Sequence, residues 1–303
     1  MQSGKRKSRI NWLFAGIMFA FLWASASTAT KIGLAVAQPL VIAVVRFGIA
    51  AMIMLVTVHL FMGKRMPSGK EWGMLAMYGL LNITIYLGSY VIAMQHVTAG
   101  IGSLSIASNP VFISFLSVFF LNKKMSFSIC IAIFLGTCGV TIAAWPLFNQ
   151  ASVTTSGLII LFFSMLSYSA GAIYFSTRNW NGLDLLTINA WQTFIGGLLL
   201  LPVALFFYDT TANHFNLQFW YVVLWLAIPV SIIAVQFWLW LLKINALKAS
   251  LWLFLCPVFG ITIAAFMMKE RISVYTILGL LLVILGLFIS QKNKVNSTNK
   301  AVE

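Results

Sequence analysis

The sequence predicts an all-α integral membrane protein with ten transmembrane helices in two inverted five-helix repeats. Three observations lead to this fold class. The chain has 303 residues and is 61% hydrophobic and only 8% charged, whereas soluble domains carry about 25% charged residues. Its apolar residues form runs of about 20, the length that crosses a bilayer. The two halves of the chain also share a pattern of proline, serine and glycine.

Ten such apolar runs follow one another, separated by short polar connections. We predict spans at 12–30, 39–62, 72–94, 99–121, 126–146, 155–176, 185–207, 218–242, 246–268 and 273–290. They divide the chain into a basic N-terminal tail (1–11), a first repeat (12–146), an external linker (147–154), a second repeat (155–290) and a C-terminal tail (291–303). The first run also resembles a cleavable signal sequence, but we expect it to be retained because the first repeat needs it.

The cationic residues predict the orientation of these spans. The formal charge is +14, and fifteen of the nineteen Lys and Arg residues fall on the side of the N-terminus. Three fall on the other side, and Arg46 lies within the second span. The positive-inside rule therefore predicts a multi-pass protein of the cell membrane with both termini in the cytoplasm. Because the cations lie in short clusters between apolar runs, we expect no nucleic-acid partner.

The sequence contains no pattern typical of catalysis or of metal binding. Cys130, Cys138 and Cys256 lie inside apolar runs without the spacing of a metal site. No histidine can be paired with a nucleophile, and there is no glycine loop of the kind that binds phosphate. We therefore expect no enzymatic activity and no cofactor. The expected partners are a small-molecule substrate and membrane lipids.

An internal repeat relates the two halves. Sliding the chain by 147 residues aligns Pro110-Val111-Phe112 with Pro257-Val258-Phe259, Ser103 with Ser250 and Gly139 with Gly286. Several matches in one register, each at the same place in its span, indicate duplication. Because each half has an odd number of spans, the second half must enter the membrane from the opposite side. Inverted repeats are the architecture of many secondary transporters, which bind substrate between the repeats.

Over residues 12–290 the chain resembles the ten-helix EamA-type carriers of the drug/metabolite transporter superfamily. The residues that carry the resemblance are Trp23, Arg46, the two Pro-Val-Phe segments, Lys269-Glu270-Arg271-Ile272-Ser273, Gly279 and Gly286. The first half departs from this pattern, with Lys123 in place of Glu270 and Ala132 in place of Gly279. The resemblance implies export or exchange of small polar or amphipathic metabolites, such as amino acids, across the plasma membrane.

Arg46 is the first candidate for substrate binding, because it is a charged residue within a span. A charge near the bilayer centre costs roughly 2.5–3.5 kcal/mol on insertion scales, so something must offset it. One interpretation is that Arg46 faces the pathway and binds a carboxylate or phosphate with paired hydrogen bonds. The alternative is that its side chain extends to the outer interface. Its counterpart in the second repeat is Gln192.

Further polar and aromatic residues lie on helical faces that we expect to point inward. Spans three and eight contribute Asn82, Tyr86 and Ser89, and Gln236 and Trp238; spans four and nine contribute Ser108, Asn109 and Trp252. These side chains either line a cavity or bond across helices as packing groups. Pro110 and Pro257 remove backbone hydrogen bonds at equivalent positions, which favours either hinges for alternating access or fixed bends.

Two other functions compete with metabolite transport. A proton-coupled multidrug exporter needs a carboxylate inside the membrane, but the five acids lie at span ends, in loops or in the tail: Glu71, Asp184, Asp209, Glu270 and Glu303. A non-transporting receptor or scaffold would be indicated if purified protein in liposomes moved no solute.

Overall fold

The computed structural model describes residues 2–120, 127–145, 153–269 and 272–292. Helices make up 85% of the described residues, which form no β-strand. This follows from composition: in an apolar surrounding, a helix satisfies its own backbone N–H and C=O groups, whereas an open sheet edge does not. The predicted positions at 121–126, which include Lys123, most of the linker at 147–154, Glu270, Arg271 and residues 293–303 lie outside the described residues.

The first part of the chain forms five helical segments. They are α1 (Gln2–Gly33), α2 (Pro39–Phe61), α3 (Lys70–Ala93), α4 (Ala99–Phe120) and α5 (Phe127–Ala144). Helix α1 begins within the segment 1–11 that we expected to be a tail. Thr98 caps α4, because its Oγ1 accepts a hydrogen bond from the N–H of Ile101.

The remaining chain forms α6 (Thr155–Thr177), α7 (Leu185–Phe206), α8 (Leu217–Met268) and α9 (Val274–Lys292). Among the described residues, seven helices are long and apolar enough to cross a membrane, namely α1 to α4 and α6 to α8. Helices α5 and α9 contain shorter apolar stretches, Ile129–Gly139 and Val274–Gly286. The protein is therefore a multi-pass membrane protein.

Helix α8 is 52 residues long and changes direction at Asn245. Asn245 has an extended backbone (φ −167°, ψ 105°), and its Oδ1 accepts a hydrogen bond from the N–H of Lys248 at 2.9 Å. It thus ends one helix and caps the next. We refer to 217–244 as the first arm and 246–268 as the second arm. Both arms pack against α1, so the chain folds back on itself at Asn245.

The two prolines expected to bend helices instead stand at helix starts. In α4 the helix stops at Ile106 and resumes at Asn109, with Pro110 as its second residue. In α8 a 3₁₀ turn, Leu251–Leu255, precedes the segment that starts at Cys256 and contains Pro257. A proline at this position loses no hydrogen bond, because the first N–H groups of a helix have no partner within it. The expectation of a lost mid-helix bond was therefore wrong, although both helices are interrupted there.

Helix α3 and the first arm of α8 each contain a π-helical segment near the middle. The segments are Leu80–Leu87 and Leu226–Ala234, and Pro229 lies inside the second one. A π-helical turn shifts the side chains that follow it onto a new face, and such turns are frequent at functional sites.

Helix packing follows a reciprocal scheme. Helix α2 packs on α7, and α5 packs on α9. Helix α1 packs on both arms of α8, while α6 packs on α3 and α4. The connections form two groups at opposite ends of α2. At one end the side-chain amide of Gln38 and the backbone around it bond to Asn213, Asp209 and Phe207.

The other end is closed by ionic contacts. Arg65 forms two hydrogen bonds to the carboxylate of Glu71, at 2.7 and 2.8 Å, which raises the pKa of Arg65. Arg65 also donates to the carbonyl oxygen of Asn181, and Lys64 lies 3.9 Å from Asp184. Connections 62–69 and 178–184 are thus joined at this end of the helices. Ion pairs join the connections at this end and amide hydrogen bonds join those at the other end, so that the centre of the molecule is left to polar and aromatic side chains.

Close backbone contact between α3 and α7 yields a stability prediction. A Cβ at Gly79 would lie 2.6 Å from the carbonyl oxygen of Gln192 and 3.1 Å from the nitrogen of Gly196. We expect Gly79→Ala to force the helices apart and to lower stability by about 1–3 kcal/mol, which a thermal melt in detergent would measure. The control is Gly73→Ala in the same helix, where nothing lies within 4 Å. Equal melting temperatures for the two variants would contradict this.

Candidate functional site

Polar and aromatic side chains converge where α1, α2, α3, α6, α7 and the first arm of α8 meet. The largest fully buried side chains of the described residues include Trp238, Arg46, Tyr86 and Tyr168. Burial of an arginine and of phenol groups in an apolar bundle is unfavourable unless these groups find hydrogen-bond partners, and ionisable residues inside a membrane usually mark a functional site. This junction is therefore the candidate site.

Arg46 lies in α2 and is only 2% exposed. Its Nε donates a 2.8 Å hydrogen bond to Oγ of Ser231 in the π-helical segment of α8, and its Cζ lies 5.2 Å from the centre of the Phe47 ring. Its Nη2 has no protein hydrogen-bond partner. A side chain that extended to the interface would be exposed, so the buried geometry favours the interior position over the interfacial one.

A chain of hydrogen-bonded amides connects Ser231, the hydrogen-bond partner of Arg46, to α3. Asn82 donates through Nδ2 to Oε1 of Gln192 at 3.1 Å, and Gln192 donates through Nε2 to Oδ1 of Asn189 at 3.2 Å. Asn189 in turn donates to the carbonyl oxygen of Ser231 at 3.0 Å. This amide chain, as we call it, crosses from α3 through α7 to α8. It satisfies buried groups that would otherwise destabilise the bundle.

Four rings form an aromatic cluster beside the amide chain: Trp23, Tyr86, Tyr168 and Trp238. The ring centres of Tyr86 and Tyr168 are 4.7 Å apart, and those of Tyr168 and Trp238 are 5.6 Å apart. Trp23 lies 6.3 Å from Tyr86 and 6.0 Å from Tyr168. The Tyr168 hydroxyl and the Trp238 Nε1 are buried without a protein partner. The cluster therefore offers apolar ring faces together with unused hydrogen-bonding groups.

Tyr90 extends the site toward α1. Its hydroxyl lies 2.8 Å from the Ser27 hydroxyl, and both side chains are buried. Tyr86 and Tyr90 both lie in the neighbourhood of the Arg46 guanidinium. The groups around the guanidinium are thus neutral hydroxyls and rings.

Gln236 and Ser89 do not belong to the amide chain. Both are partly buried, and Gln236 has a buried Oε1 without a protein partner. Gln236 remains a site candidate on this evidence, since an unpaired buried oxygen is ready to accept a hydrogen bond.

The predicted site residues Ser108 and Asn109 mainly stabilise the interruption of α4. Asn109 donates to the carbonyl oxygen of Ile106 and accepts from the hydroxyl of Ser169 at 3.0 Å. Ser108 donates to the carbonyl oxygen of Ser105 and lines a cavity of about 380 Å³ between α4, α5 and α6. These hydrogen bonds are typical of packing groups. None of them joins Ser108 or Asn109 to the amide chain.

Trp252 is buried against α1, where Gly16 leaves room for its ring, because any Cβ at position 16 would overlap the indole. Its Nε1 has no protein partner. Trp252 belongs to the second arm of α8 and packs where this arm contacts α1. Pro110 and Pro257 adjoin the interruptions of α4 and α8 rather than the amide chain.

Four residues of the site were not among those we predicted: Ser27, Asn189, Ser231 and Tyr168. A sequence signal existed for Asn189, because it lies one helical turn before Gln192 and so shares its face. Ser231 and Tyr168 are single residues in apolar runs, and only the fold brings them to Arg46 and Trp23. Across the described residues, no group of three His, Cys, Asp or Glu side chains could hold a metal ion.

Comparison with known proteins adds an independent finding. A profile of the EamA-like transporter family matches residues 10–145 and again residues 155–291. The chain is 25% identical to the uncharacterized transporter YoaV of Bacillus subtilis over 279 residues, covering 90% of this chain and 94% of YoaV. It is 26% identical to protein PecM of Dickeya dadantii over 295 residues, covering 94% and 95%. One solved crystal structure superposes with a TM-score of 0.71 at 16% identity, over 91% of this chain, and so shares its fold.

The amide chain makes a measurable prediction. In a double-mutant cycle with Asn82→Ala and Gln192→Ala, we expect a coupling free energy of about 0.6 kcal/mol, and at most about 1.7, the range measured for hydrogen bonds between membrane helices. Unfolding in mixed micelles would measure it. Asn82→Ala combined with Thr211→Ala, an exposed residue far away, should be additive. Zero coupling between Asn82 and Gln192 would contradict the bond.

Proposed function

Because the chain belongs to the EamA-like transporter family, we propose that it is a secondary transporter that carries small polar or amphipathic metabolites across the cell membrane, by export or exchange. Membership makes it a transport protein and not an enzyme. We propose that transport occurs by alternating access. Substrate binds at the junction of Arg46, the amide chain and the aromatic cluster.

One observation carries this proposal: a buried arginine and the aromatic cluster beside it keep polar groups that have no protein partner. Arg46 Nη2, the Tyr168 hydroxyl and Trp238 Nε1, together with Gln236 Oε1, are four of the eleven buried side-chain atoms without a protein partner among the described residues. Buried polar groups normally find partners, so a cluster of exceptions marks a place where a solute supplies them. Ring faces beside these groups suit the apolar part of an amphipathic solute.

The topology we propose has ten spans, because the two arms of α8 each act as one span. A straight helix of 52 residues would measure about 78 Å, more than twice the roughly 30 Å of hydrocarbon. The arms contain 28 and 23 residues, and each is long enough to cross alone. Two lysines near Asn245, Lys243 and Lys248, suit a cytoplasmic turn. Cytoplasmic termini follow from the same charge bias.

Inverted five-helix halves are supported by the reciprocal packing of the helices. The contact of α1 with the second arm matches that of α6 with α4, and the contact of α1 with the first arm matches that of α6 with α3. The π-helical segments lie 146 to 147 residues apart, and the family profile matches each half separately. Substrate bound between the halves would meet both in nearly equivalent ways.

The closed ends of the molecule fit alternating access. The bonds of Arg65 to Glu71 and Asn181 join one pair of connections, and those of Gln38 to Asn213 join the pair at the opposite end. Each must open for solute to pass. The proton-coupled multidrug alternative gains no support from Glu71, because this buried acid is held by Arg65 at the start of α3, far from the aromatic cluster.

The topology predicts where single cysteines react. In a variant without Cys130, Cys138 and Cys256, we expect Lys64→Cys to be labelled from the cytoplasm and Thr211→Cys from outside, because they flank opposite ends of the membrane. Both positions are exposed, so membrane-impermeant maleimide can reach them. Lys123→Cys should behave like Lys64→Cys. Labelling of positions 64 and 211 from the same face would contradict the ten-span topology.

The substrate site predicts a specific kinetic effect. After a flux screen of labelled amino acids, organic acids and sugars in proteoliposomes has identified a carboxylate substrate, we expect Arg46→Gln to raise its apparent KM. One lost charge-assisted bond is worth roughly 1.5–3 kcal/mol, which corresponds to about a 10- to 150-fold increase. Lys243→Gln, which removes an exposed cation, is the matched control and should leave KM unchanged.

Substitutions of Tyr86 and Gln236 should also alter transport. If only these two change KM and Arg46→Gln does not, Arg46 has a structural role. Normal transport in all three variants would remove the site assignment, and absence of flux for every solute in the screen would overturn transport itself.

A further inference from the structure

The positive charge of Arg46 has no negative partner among the described residues. Glu71 pairs with Arg65, Asp184 lies beside Lys64, and Asp209 accepts hydrogen bonds from Thr211. All three lie at helix starts or in connections. The two remaining acids, Glu270 and Glu303, belong to the connection after α8 and to the C-terminal tail.

The neighbours that the structure gives Arg46 among the described residues are instead neutral. These groups are the Ser231 hydroxyl, the Phe47 ring and the phenols of Tyr86 and Tyr90. Hydroxyls and rings stabilise a cation only in part, and a buried charge without a counter-charge strongly favours binding an anion. Since the protein does not supply the negative charge at this position, a solute has to.

We propose that the substrate is an organic monoanion without an ammonium group, and that the protein exchanges one such anion for another. This inference rests on the proposed transport function and deepens it. The carboxylate binds Arg46, where Nη2 is free of protein partners. The apolar body lies against the rings of Trp23, Tyr86, Tyr168 and Trp238.

A zwitterionic amino acid fits this site less well than a hydroxy acid of the same shape. Its ammonium would enter a site that already holds Arg46 and in which the described residues offer no carboxylate. Like charges brought together in a buried site are strongly disfavoured. A hydroxyl at the same carbon can bond to neutral groups such as the Tyr168 hydroxyl or Gln236 Oε1, which lack partners.

The same charge makes exchange faster than net transport. To reset, a carrier passes through closed conformations in which both ends are joined, as by Arg65 with Glu71 and by Gln38 with Asn213. In the described structure, where both ends are joined, only 2% of Arg46 is exposed. With an anion bound, its charge is neutralised, whereas without one it stays uncompensated. The loaded carrier therefore resets faster.

Two measurements in proteoliposomes test this inference. The first compares labelled hydroxy acids with amino acids that differ only in the group at the α carbon: lactate with alanine, 2-hydroxyisocaproate with leucine, and 3-phenyllactate with phenylalanine. We expect the hydroxy acid to enter at least about tenfold faster in each pair that is transported, because one charged contact is at stake. Faster entry of the amino acid in any pair would overturn the inference.

The second measurement compares uptake into vesicles that contain the same unlabelled hydroxy acid with uptake into vesicles that contain sucrose. Potassium and valinomycin hold the membrane potential at zero, so that charge movement does not limit net flux. We expect uptake to be at least about tenfold faster into the loaded vesicles. In Arg46→Gln this ratio should fall toward one, whereas Arg46→Lys, which keeps the charge, should retain it. Size-exclusion profiles check that both variants are folded.

Equal uptake into loaded and sucrose-filled vesicles by the unmodified protein would overturn the inference while leaving transport intact. A preserved ratio in folded Arg46→Gln would also overturn it, because the charge would then not be the cause. If none of the six solutes moves but the wider flux screen finds a neutral or cationic substrate, the anion inference fails and the transport function stands. If no solute moves in any format, the transport function itself fails.

Discussion

Nearly every feature of this protein depends on one constraint: a polar group buried in hydrocarbon needs a partner inside the protein. The constraint explains why the described residues form helices, and it also explains how the helices are interrupted. At Asn245 the side chain replaces the missing backbone partner, and at the interruption of α4 the side chain of Asn109 bonds to Ile106. At both of these interruptions an asparagine side chain therefore makes a hydrogen bond to a backbone group at the end of a helix.

The same constraint separates packing from function among the side chains. Asn82 in α3, Gln192 and Asn189 in α7 and the carbonyl of Ser231 in α8 satisfy one another across three helices, which stabilises the bundle and fixes the helices relative to each other. Arg46 is only partly satisfied, since Ser231 accepts from Nε while Nη2 has no protein acceptor. Other buried groups, such as Trp252 Nε1, also lack a protein partner, but Arg46 is a charged group, and an incompletely paired charge inside a membrane bundle marks a binding site rather than a structural core.

Hydropathy and charge were sufficient to predict the membrane-embedded class and most helix positions, because the length of an apolar run directly reflects bilayer thickness. They were not sufficient for Pro110 and Pro257, where composition indicates a weak point but not whether the helix bends or stops. The π-helical segments had no visible pattern, since π-helical and α-helical turns accept the same apolar residues. Arg46 was recognisable as a lone charge, but its contact with Ser231 lies 185 positions away in sequence and depends on the completed fold.

The cap at Asn245 has a mechanical consequence for the two halves. Thr98 caps α4 at the position 147 residues earlier, but there five residues, 94–98, separate α3 from α4. In α8 the corresponding connection is the single residue Asn245. Each residue contributes only two soft backbone dihedrals, so the angle between the arms of α8 depends on the two dihedrals of Asn245, whereas the angle between α3 and α4 can be spread over ten. A substitution at position 245 therefore acts on the geometry of one half of the protein more directly than any single substitution in 94–98 acts on the other.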